Sequence, residues 1–347
     1  MPILITVGII ARNEEKYITN SLKSLFKQTL DHSLFEIIVV DGNSEDKTRE
    51  VAYETLQSSD IKYKILNEKD FGFYGHCFAR NLVIDNSSPD TKYIAYTDAD
   101  CIVDKEWLKT LYENIKNSGD DIAGAGGPRL IAPTDNKKEL IINHFLTSTI
   151  ASGGNPAFSQ RNIKYLKSIP NYNAIYKKDV IAKFRYDDSL IMSDDTELNL
   201  RLGLNGYKFL YVKDALVYHR ETDSLIQLAR NMVRYGVNIA NAIKKLKLFK
   251  IKVFLTILLL FYLIFIIPAY LVGGWIVLIP LGLYIIYAIL VFLEILFKTR
   301  SIYSLMVFLL VPIQHICYAY GVIYNFLFVR PVYKDKINTK TEKRSKF

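Results

Sequence analysis

The stretch "YIAYTDADCIV", residues 93–103, is an apolar run that leads into two carboxylates, Asp98 and Asp100. Its continuous hydrophobic character is typical of a strand that is covered on both faces. Carboxylates at positions i and i+2 of a strand point to the same face and repel each other. A divalent cation, Mg²⁺ or Mn²⁺, relieves that repulsion and completes its shell with phosphate oxygens and water. The stretch therefore predicts a metal-bridged diphosphate at a strand tip, with two exposed turn acids as the simpler alternative.

Three similar apolar runs precede this stretch, and helix-like segments separate the four runs. The helical segments are Glu14–Gln28, one that starts at Ser44 as its N-cap, and Gly75–Ile84. Alternation of strands and helices at this spacing predicts an α/β fold with a mostly parallel sheet. The three preceding strand-like runs are Ile3–Ile10, Phe35–Asp41 and Tyr63–Asn67.

Polar side chains follow each of the four predicted strands. In open α/β sheets, ligands bind at the carboxyl ends of the strands. One strand that ends in an acid is unremarkable, but four such ends in one sheet outline a binding site. These residues are Arg12, Asn13 and Glu14, then Asp41 and Asn43, then Asn67, and finally Asp98 and Asp100.

A later segment, "SDDTELNLRLGLNGYKFLYV", spans residues 193–212 and carries clear helix signals. Ser193 suits the N-cap position, and the acids that follow it fill the first turn. Gly206 suits the helix stop, after which "KFLYV" is read as a strand. The segment therefore predicts a helix that presents carboxylates at its N-terminus.

Three long apolar segments lie near the C-terminal end, each long enough to cross or deeply enter a bilayer. The short connection "VGGW" makes a hairpin of the first two, whereas Pro312 and His315 interrupt the third. The segments are residues 253–271, 275–293 and 302–329.

The net charge is +9, and basic residues concentrate beside the apolar segments. Lys244–Lys252 holds five lysines in nine residues, and the tail from Lys334 is also basic. This pattern favours contact with anionic lipids over nucleic acid, with a solvated charge run as the alternative. The positive-inside rule places Lys244–Lys252 and the Lys298/Arg300 loop in the cytoplasm. Three full spans would then place the basic tail on the far side of the membrane, against the same rule. Three spans are nevertheless favoured, and a re-entrant or interfacial third segment is the alternative.

The cysteines and the N-terminus exclude several classes of protein. Cys77, Cys101 and Cys317 form no CxxC pair and no cluster with zinc spacing, so neither a disulfide framework nor a structural zinc site is expected. The N-terminus has no basic n-region and is read as a first strand, not as a secretory signal.

Taken together, these segments resemble the family 2 glycosyltransferases, which are inverting enzymes with the GT-A fold. The resemblance covers about residues 1–235, and its variant is similar to membrane-bound enzymes of exopolysaccharide and cell-surface glycan assembly. The segments that carry it are "VGIIARNEEKYITNSLKSLFKQTL", "FEIIVVDGNSEDKTREVA", "FARN", "YTDAD" and "SDDTELNLRLGLNGYKF".

The resemblance implies a nucleotide pocket with a metal. In it, Asp41 would accept a hydrogen bond from the base, and Asp98 would bind the ribose or a water on the metal. Asp100 would ligate Mg²⁺ or Mn²⁺, and His219 is a candidate for completing the metal shell. The other residues implied to line the nucleotide and its diphosphate are Ala11, Arg12, Glu14, Asn67 and Arg80.

The resemblance also implies that Asp195 is the catalytic base, with its neighbour Asp194 as an alternative. Inversion needs one carboxylate to take the proton from the acceptor hydroxyl. A helix N-terminus keeps such a carboxylate ionised, although simple capping acids are common there.

Three further residues are candidates for the acceptor or its phosphate: Asn173, Arg230 and Arg234. The two arginines lie at i and i+4 in "QLARNMVRYG", which loosely resembles the Q-x-x-R-W element of processive synthases but lacks the Trp. A solvated or membrane-surface helix face is the alternative interpretation, and the missing Trp leaves processivity open.

The predicted division is a GT-A domain at 1–235, a basic juxtamembrane segment at 236–252, a membrane domain at 253–329 and a basic tail at 330–347. The expected function is sugar transfer from a nucleotide-diphosphate sugar to a lipid-linked glycan, on the cytoplasmic face of the cell membrane. A polyprenyl- or dolichyl-monophosphate acceptor is an alternative, and a non-catalytic membrane scaffold that binds nucleotide sugars is another. A nucleotidyltransferase is excluded because no Gly-rich phosphate loop follows the first strand.

Overall fold

The computed structural model describes residues 2–72, 74–158, 160, 162–188, 194–220, 222–247 and 250–329, apart from the side chains of Pro156 and Asp194. The chain divides into two compact units. Among the described residues, the first unit contains those up to Ala132 together with Pro156–His219, and the second contains Pro133–Asn155 together with residues 220–329.

The strands lie in the first unit. In chain order they are β1 (Ile5–Ala11), β2 (Phe35–Asp41), β3 (Lys62–Asn67), β4 (Tyr93–Asp98), β5 (Cys101–Val103), β6 (Ile122–Gly126), β7 (Arg129–Ile131), β8 (Tyr165–Leu166), β9 (Ala174–Lys177), β10 (Lys208–Tyr211) and β11 (Val217–His219).

The helices are shared between the two units, with α5 and α8 to α11 in the second. In chain order they are α1 (Ile18–Leu25), α2 (Thr48–Leu56), α3 (His76–Asn86), α4 (Trp107–Lys116), α5 (Lys137–Leu146), α6 (Lys178–Phe184), α7 (Asp194–Leu204), α8 (Leu225–Leu246), α9 (Ile251–Gly273), α10 (Ile279–Thr299) and α11 (Val307–Phe328).

The main sheet of the first unit has the strand order β3-β2-β1-β4-β9-β6-β10-β8. β1 pairs in parallel with β2 and β4, and β2 pairs in parallel with β3. β9 runs antiparallel between β4 and β6. Every residue of β2 is buried, as its unbroken apolar sequence predicts for a strand covered on both faces. The predicted α/β class with a mostly parallel sheet is confirmed.

A second sheet, with the order β5-β11-β7, lies directly after the predicted strand tip at Asp98. β11 pairs antiparallel with β5, which sets His219 opposite Cys101. The turn between β6 and β7 requires a glycine, because a Cβ on Gly127 would lie 2.1 Å from the backbone oxygen of Ala215. The residues that precede β11 therefore lie directly against the turn that precedes β7.

The second unit contains the apolar helices. A 3₁₀ turn, Gly274–Leu278, joins α9 to α10, and a second one, Ile302–Met306, leads into α11. Two stretches of the described chain are long and apolar enough to cross a membrane: Ile251–Thr299, which contains α9 and α10, and Ile302–Phe328, which contains α11. The three predicted apolar segments therefore correspond to three helices.

The boundary predicted at residue 235 differs from the observed division. Helix α5 and the first half of α8, which the prediction placed in the first domain, belong to the second unit. The reason is apolar packing, because Ile141 and Phe145 of α5 and Met232 of α8 share one core with Val291 of α10 and Leu310 of α11. The sequence pattern does not show which partner covers these helices.

One buried carboxylate stabilises the main sheet. Glu36 of β2 accepts hydrogen bonds from the backbone N–H of Ser88 at 2.6 Å, from Ser88 Oγ at 2.8 Å and from Thr6 Oγ1 at 2.9 Å. Lys62 Nζ lies 3.6 Å from Oε2 of Glu36, the oxygen that accepts from Ser88 Oγ. Burial opposes ionisation of Glu36, but the hydrogen bonds from Ser88 and Thr6 and the charge of Lys62 outweigh it and lower the pKa of the carboxyl.

We expect the substitution Glu36→Gln to destabilise the fold by about 1–3 kcal/mol at neutral pH, because it replaces a charged acceptor of several buried donors. A lowered folded-state pKa contributes stability above the unfolded pKa, and this contribution is lost as the pH falls through the folded value. The deficit should therefore be largest at pH 7 and shrink below about pH 4. Thermal unfolding of the full chain in detergent at both pH values measures it.

The matched control is Glu54→Gln, on the exposed surface of α2. It should leave the unfolding temperature of the protein nearly unchanged at both pH values. Equal effects of the two substitutions would contradict a special role for the buried carboxylate.

Candidate functional site

The site lies in the first unit, at the carboxyl ends of β1 to β4. Two loops close one side of it, and hydrogen bonds join them. The N–H of Asn13 donates to Ser44 Oγ, the N–H of Glu14 donates to Thr48 Oγ1, and Asn13 Oδ1 accepts from the N–H of Glu45. Asn13 adopts a φ of 58°, a conformation that Asn tolerates better than most residues. The loops after β1 and β2 are thereby held as one wall.

Asp41 and Asn67 meet at the ends of β2 and β3, which are adjacent strands. Asp41 is buried, and it accepts hydrogen bonds from the N–H and Oγ of Ser44 and from Asn67 Nδ2, the last at 3.2 Å. Ser44 was predicted to be the N-cap of a helix. Instead it donates hydrogen bonds to Asp41, and α2 begins at Thr48. The pair leaves carboxylate and amide groups at the sheet edge that can bind the polar edge of a base.

Ala11 and Arg12 end β1. The backbone oxygen of Ala11 accepts from the N–H of Gly42, and the side chain of Ala11 is buried. A Cβ on Gly42 would lie 3.2 Å from Cβ of Arg12, so the stem of Arg12 covers this glycine. Nε of Arg12 is buried and has no hydrogen-bond partner within the described part of the chain. A buried donor of this kind fits a site that binds an anionic ligand.

Arg80 of α3 is buried and faces the tip of β4. Its guanidinium lies 4.8 Å from the centre of the Tyr96 ring, and Nη2 lies 3.3 Å from Asp98 Oδ1. Tyr96 is fixed in turn, because its hydroxyl donates to the backbone oxygen of Arg80 at 2.9 Å. The structure therefore holds a positive charge beside the first of the two paired acids.

Glu14 brings a third carboxylate to this point. Burial raises its pKa to about 7, with further contributions from the negative charges of Asp100, Asp98 and Asp46 in that order. Carboxylates this close favour either a bound proton or a bound cation. This electrostatic environment fits a divalent metal ion, and it could not be derived from the spacing of Asp98 and Asp100 alone.

Asp100, Cys101 and His219 form a cluster that could hold a metal ion. Oδ1 of Asp100 lies 3.6 Å from His219 Nε2 and 3.7 Å from Cys101 Sγ, and the three ligand atoms all lie within 4.8 Å of one another. The register of β11 against β5 brings His219 here from more than a hundred residues away. The ring of Tyr172 lies 5.6 Å from the His219 ring and limits its orientation. Carboxylate and imidazole ligands suit Mn²⁺, and the role of His219 as a ligand stays a prediction.

Asp195 is the second residue of α7 and is partly buried. Its Oδ1 accepts from Thr196 Oγ1 at 3.2 Å. The predicted N-cap Ser193 and the side chain of Asp194 lie outside the described residues. Glu197 of the same helix is buried and accepts two hydrogen bonds of 2.8 Å from Arg201. The catalytic role of Asp195 stays a prediction.

The prediction that Asn173 contacts an acceptor is wrong. Asn173 is fully buried. Its Nδ2 donates to the backbone oxygens of Pro128 and Ala215, and its Oδ1 accepts from Trp107 Nε1. Both hydrogens of the side-chain amide are therefore used within the fold, where the amide joins the β6–β7 turn, α4 and the segment in front of β11. The sequence does not show which way this side chain points.

Arg230 and Arg234 lie on α8 in the second unit, where Arg230 is exposed and Arg234 is partly buried. They are not part of the site described in the first unit, and their proposed phosphate contacts stay predictions.

Two residues of the site were not found from the sequence. Cys101 was considered only for disulfides and zinc motifs, and the signal available was its position directly after Asp100. Tyr96, which supports Arg80, was read as an ordinary strand residue. In both cases the neighbour that gives the residue its role comes from another part of the chain.

Comparison with known proteins shows which family the chain resembles. The family model for glycosyl transferase family 2 matches residues 6–184. The poly-beta-1,6-N-acetyl-D-glucosamine synthase of Staphylococcus aureus is 27% identical over 233 residues, which are 67% of this chain and 53% of that protein. The chain thus spans about half the length of this relative. The dolichyl N-acetyl-alpha-D-glucosaminyl phosphate 3-beta-D-2,3-diacetamido-2,3-dideoxy-beta-D-glucuronosyltransferase of Methanococcus voltae is 30% identical over 241 residues, 67% of this chain and 71% of that protein.

A solved structure with a similar fold is the mannosyltransferase PcManGT from Pyrobaculum calidifontis, in complex with GDP-Man and Mn²⁺. It aligns with a TM-score of 0.56 over 94% of this chain and 88% of that chain, at 14% identity. This likeness concerns the fold alone, and it confirms the predicted GT-A architecture. The family match covers just over half of the 347 residues. The chain belongs to glycosyl transferase family 2.

Proposed function

We propose that the chain is a membrane-anchored inverting glycosyltransferase that moves a sugar from a nucleotide-diphosphate sugar to a lipid-linked glycan. The observation that carries this proposal is the convergence of Glu14, Asp98 and Asp100 with His219 beside a buried arginine. Such an arrangement needs a cation to balance the acids and an anionic ligand to use the arginine. A nucleoside diphosphate with a divalent metal satisfies both needs.

The donor would bind along the sheet edge. Asp41 and Asn67 would hold the base, with Ala11 and Arg12 forming the adjacent wall. Arg80 would face the diphosphate from its position beside Asp98. Its burial supports this role, because a buried guanidinium makes stronger charge-assisted hydrogen bonds than an exposed one.

Asp100 and His219 would hold Mg²⁺ or Mn²⁺, with Asp98 as a further ligand or a partner of a metal-bound water. When bound, the metal supplies Lewis-acid neutralisation of the departing diphosphate. The Mn²⁺ in the complex of the structurally similar mannosyltransferase supports a divalent metal here. Transfer assays with each ion in turn distinguish Mg²⁺ from Mn²⁺.

Asp195 would act as the general base. Its carboxylate takes the proton from the acceptor hydroxyl as that oxygen forms a bond to the anomeric carbon. The bond from the anomeric carbon to the diphosphate oxygen breaks at the same time, and the configuration inverts. Its position in the first turn of α7 favours the ionised form that a base requires. Asp194 is the alternative base.

The acceptor would be lipid-linked and the enzyme multi-pass, with the catalytic unit facing the cytoplasm. The apolar helices of the second unit and the dolichyl-linked substrate for which the M. voltae relative is named support this proposal. A lipid-linked oligosaccharide is the favoured acceptor, and a bare polyprenyl or dolichyl monophosphate is the alternative. The mass of the product separates the two, since the first grows an existing glycan by one sugar. Nucleotide-sugar binding without any transfer would support a membrane scaffold instead.

We expect Asp195→Asn to reduce sugar transfer at least about a hundredfold, because loss of a general base typically costs that much. Nucleotide binding should stay within a factor of a few of the original protein, since the amide keeps the shape of the side chain. The measurement is transfer from a panel of radiolabelled nucleotide sugars into a lipid extract, by the full chain in detergent with Mn²⁺.

The control is Asp120→Asn, which changes an exposed acid of the same unit and should retain full transfer. If transfer survives in the Asp195 variant but not in Asp194→Asn, the base is one residue earlier. If neither substitution lowers transfer, the assignment of α7 to the reaction is wrong.

We expect His219→Ala to weaken Mn²⁺ binding at least about tenfold, because even outer-shell partners of a metal cost this much when they are removed. Titration of the full chain with Mn²⁺, followed by the electron paramagnetic resonance signal of the free ion, measures the affinity without any turnover. His32→Ala is the matched control, since His32 pairs with Asp60 on the surface. Equal affinities of the two variants would remove His219 from the metal site.

A further inference from the structure

Residues 185–188 of the first unit, here called the 185–188 segment, follow α6 and precede α7, the helix that carries Asp195. The first residue of the segment, Arg185, has a φ of 54° and a ψ of 156°. This backbone conformation is almost confined to glycine, and other residues keep it only where the surrounding structure holds them. The contacts of the 185–188 segment therefore fix its position, and they come from two helices.

Helix α3 contacts the 185–188 segment through Asn81, which is 1% exposed. Its Nδ2 donates to the backbone oxygen of Tyr186 at 2.8 Å and to Asp188 Oδ1 at 2.7 Å. Its Oδ1 accepts from the N–H of Tyr186 at 3.1 Å. One turn later on α3, Asp85 accepts two hydrogen bonds from the guanidinium of Arg185, at 2.7 and 2.8 Å. Because that ion pair is solvent-exposed and such pairs contribute little, the buried amide of Asn81 is the stronger contact.

Helix α7 contacts the same part of the chain through Arg201. Its Nη1 donates to the backbone oxygen of Phe184 at 2.6 Å, and its Nη2 donates to that of Arg185 at 2.7 Å. The same guanidinium makes two hydrogen bonds of 2.8 Å to the buried carboxylate of Glu197. Glu197 lies only two residues after Asp195. Charge-assisted hydrogen bonds from one side chain therefore join the beginning of α7 to the strained backbone of Arg185.

Helix α3 also carries Arg80, the neighbour of Asn81 in the chain. The guanidinium of Arg80 lies over the ring of Tyr96. The ring of Tyr96 contacts the ring of Tyr186 edge to face, with 5.9 Å between the ring centres. The hydroxyl of Tyr186 donates to Asn171 Oδ1 at 3.0 Å. Arg80 and the 185–188 segment are thus joined twice, through α3 itself and through the contact between the two tyrosine rings.

A second buried amide, Asn199, holds α7 on the side of the main sheet. Its Nδ2 donates to the backbone oxygen of Ile169 at 2.6 Å and to Ser168 Oγ at 2.9 Å. The hydroxyl of Tyr176 in β9 lies 3.3 Å from Asn199 Oδ1 and 3.2 Å from Asn171 Oδ1. Asn171 is the residue that also accepts from Tyr186. Helices α3 and α7 are therefore joined through one buried polar network in addition to the direct contacts of Asn81 and Arg201.

We infer that Asn81 and Arg201 are positioning residues for sugar transfer, because they fix the helix that carries Asp195 relative to the helix that carries Arg80. The inference rests on the proposed function, in which Asp195 is the base and Arg80 faces the diphosphate. In an inverting transfer the base and the leaving group lie on opposite sides of the anomeric carbon, so their separation decides whether the acceptor oxygen attacks in line. Asn81 and Arg201 maintain that separation through the 185–188 segment without touching the donor or the acceptor.

The first test is the substitution Asn81→Asp in the full chain in detergent. The carboxylate keeps the size of the side chain and still accepts from the N–H of Tyr186, but it has no hydrogens to donate and it faces the carboxylate of Asp188. We expect the kcat of transfer to fall about tenfold to a hundredfold, because a small displacement of a reacting group costs that much. The KM for the nucleotide sugar and the affinity for Mn²⁺ should stay within a factor of a few, since Arg80 keeps its contacts with Asp98 and Tyr96.

A double variant tests whether the contact itself matters. Asn81→Asp combined with Asp188→Asn again sets a donor opposite an acceptor, with the two groups exchanged, and should recover part of the lost kcat. Asp188→Asn alone keeps an acceptor for Asn81 and should change kcat little; a loss as large as that of Asn81→Asp would overturn the inference. The matched control is Asn86→Asp on the same helix, where Nδ2 donates to the backbone oxygen of Leu82 within α3, and it should keep full kcat.

The second test needs no turnover and measures hydrogen exchange of the backbone amides of α7. We expect these amides to exchange at least about tenfold faster in Asn81→Asp and in Arg201→Lys, the change that loss of one or two buried hydrogen bonds produces in a local opening equilibrium. The lysine keeps the positive charge but cannot reach all the acceptors of Arg201. The amides of β1 and β2 should exchange as in the original protein.

Unchanged exchange in α7, or an unchanged kcat in both Asn81→Asp and Arg201→Lys, would overturn the inference. Parallel losses of kcat, donor affinity and thermal stability would overturn it as well, because they would show a general structural role. If Asn81→Asp does not fold, Arg201→Lys carries the same expectations. If the original protein transfers no sugar, the proposed function is wrong, and the exchange rates still decide whether Asn81 and Arg201 hold α7 in place.

Discussion

Repulsion among the carboxylates of Glu14, Asp98 and Asp100 is the constraint on which the candidate site depends. The parallel strands β1 and β4 are neighbours, so the acids that follow them meet at one edge of the sheet. Burial strengthens their mutual repulsion, as the raised pKa of Glu14 shows. Protein structures keep such charges together only where something balances them. Arg80 balances part of the charge beside Asp98, and a bound divalent cation would balance the rest.

The rest of the first unit is arranged around this edge. The small sheet of β5, β11 and β7 has no large core of its own, yet it decides where His219 lies. Asn173 supports that sheet by donating hydrogen bonds to the backbone oxygens of Pro128 and Ala215. This residue was predicted to meet a ligand, and its actual role is to hold the chain that carries His219. Its effect on the site is therefore indirect.

The second unit follows a different constraint, which is the cost of polar groups in hydrocarbon. A charged side chain at the centre of a bilayer costs about 2.5–3.5 kcal/mol on insertion scales. Arg234 sits near the middle of α8, and Arg230 and Lys245 flank it on the same face. Helix α8 packs closely on α11, because a Cβ on Gly236 or on Gly321 would collide with the backbone of the other helix. The hydrophobicity of α11 by itself gives no indication of this partner.

The sequence by itself determined the α/β class, the four leading strands, the apolar helices and the cluster of Asp98 with Asp100. These features are local, because apolar runs and polar strand ends are read from neighbouring residues. Only the tertiary structure decided that Glu14 adds a third charge, that Cys101 and His219 meet, that Asn173 is buried and that α5 and α8 pack with the apolar helices. Each of these depends on strand register or helix packing between distant segments, and a single sequence carries no signal for such pairings.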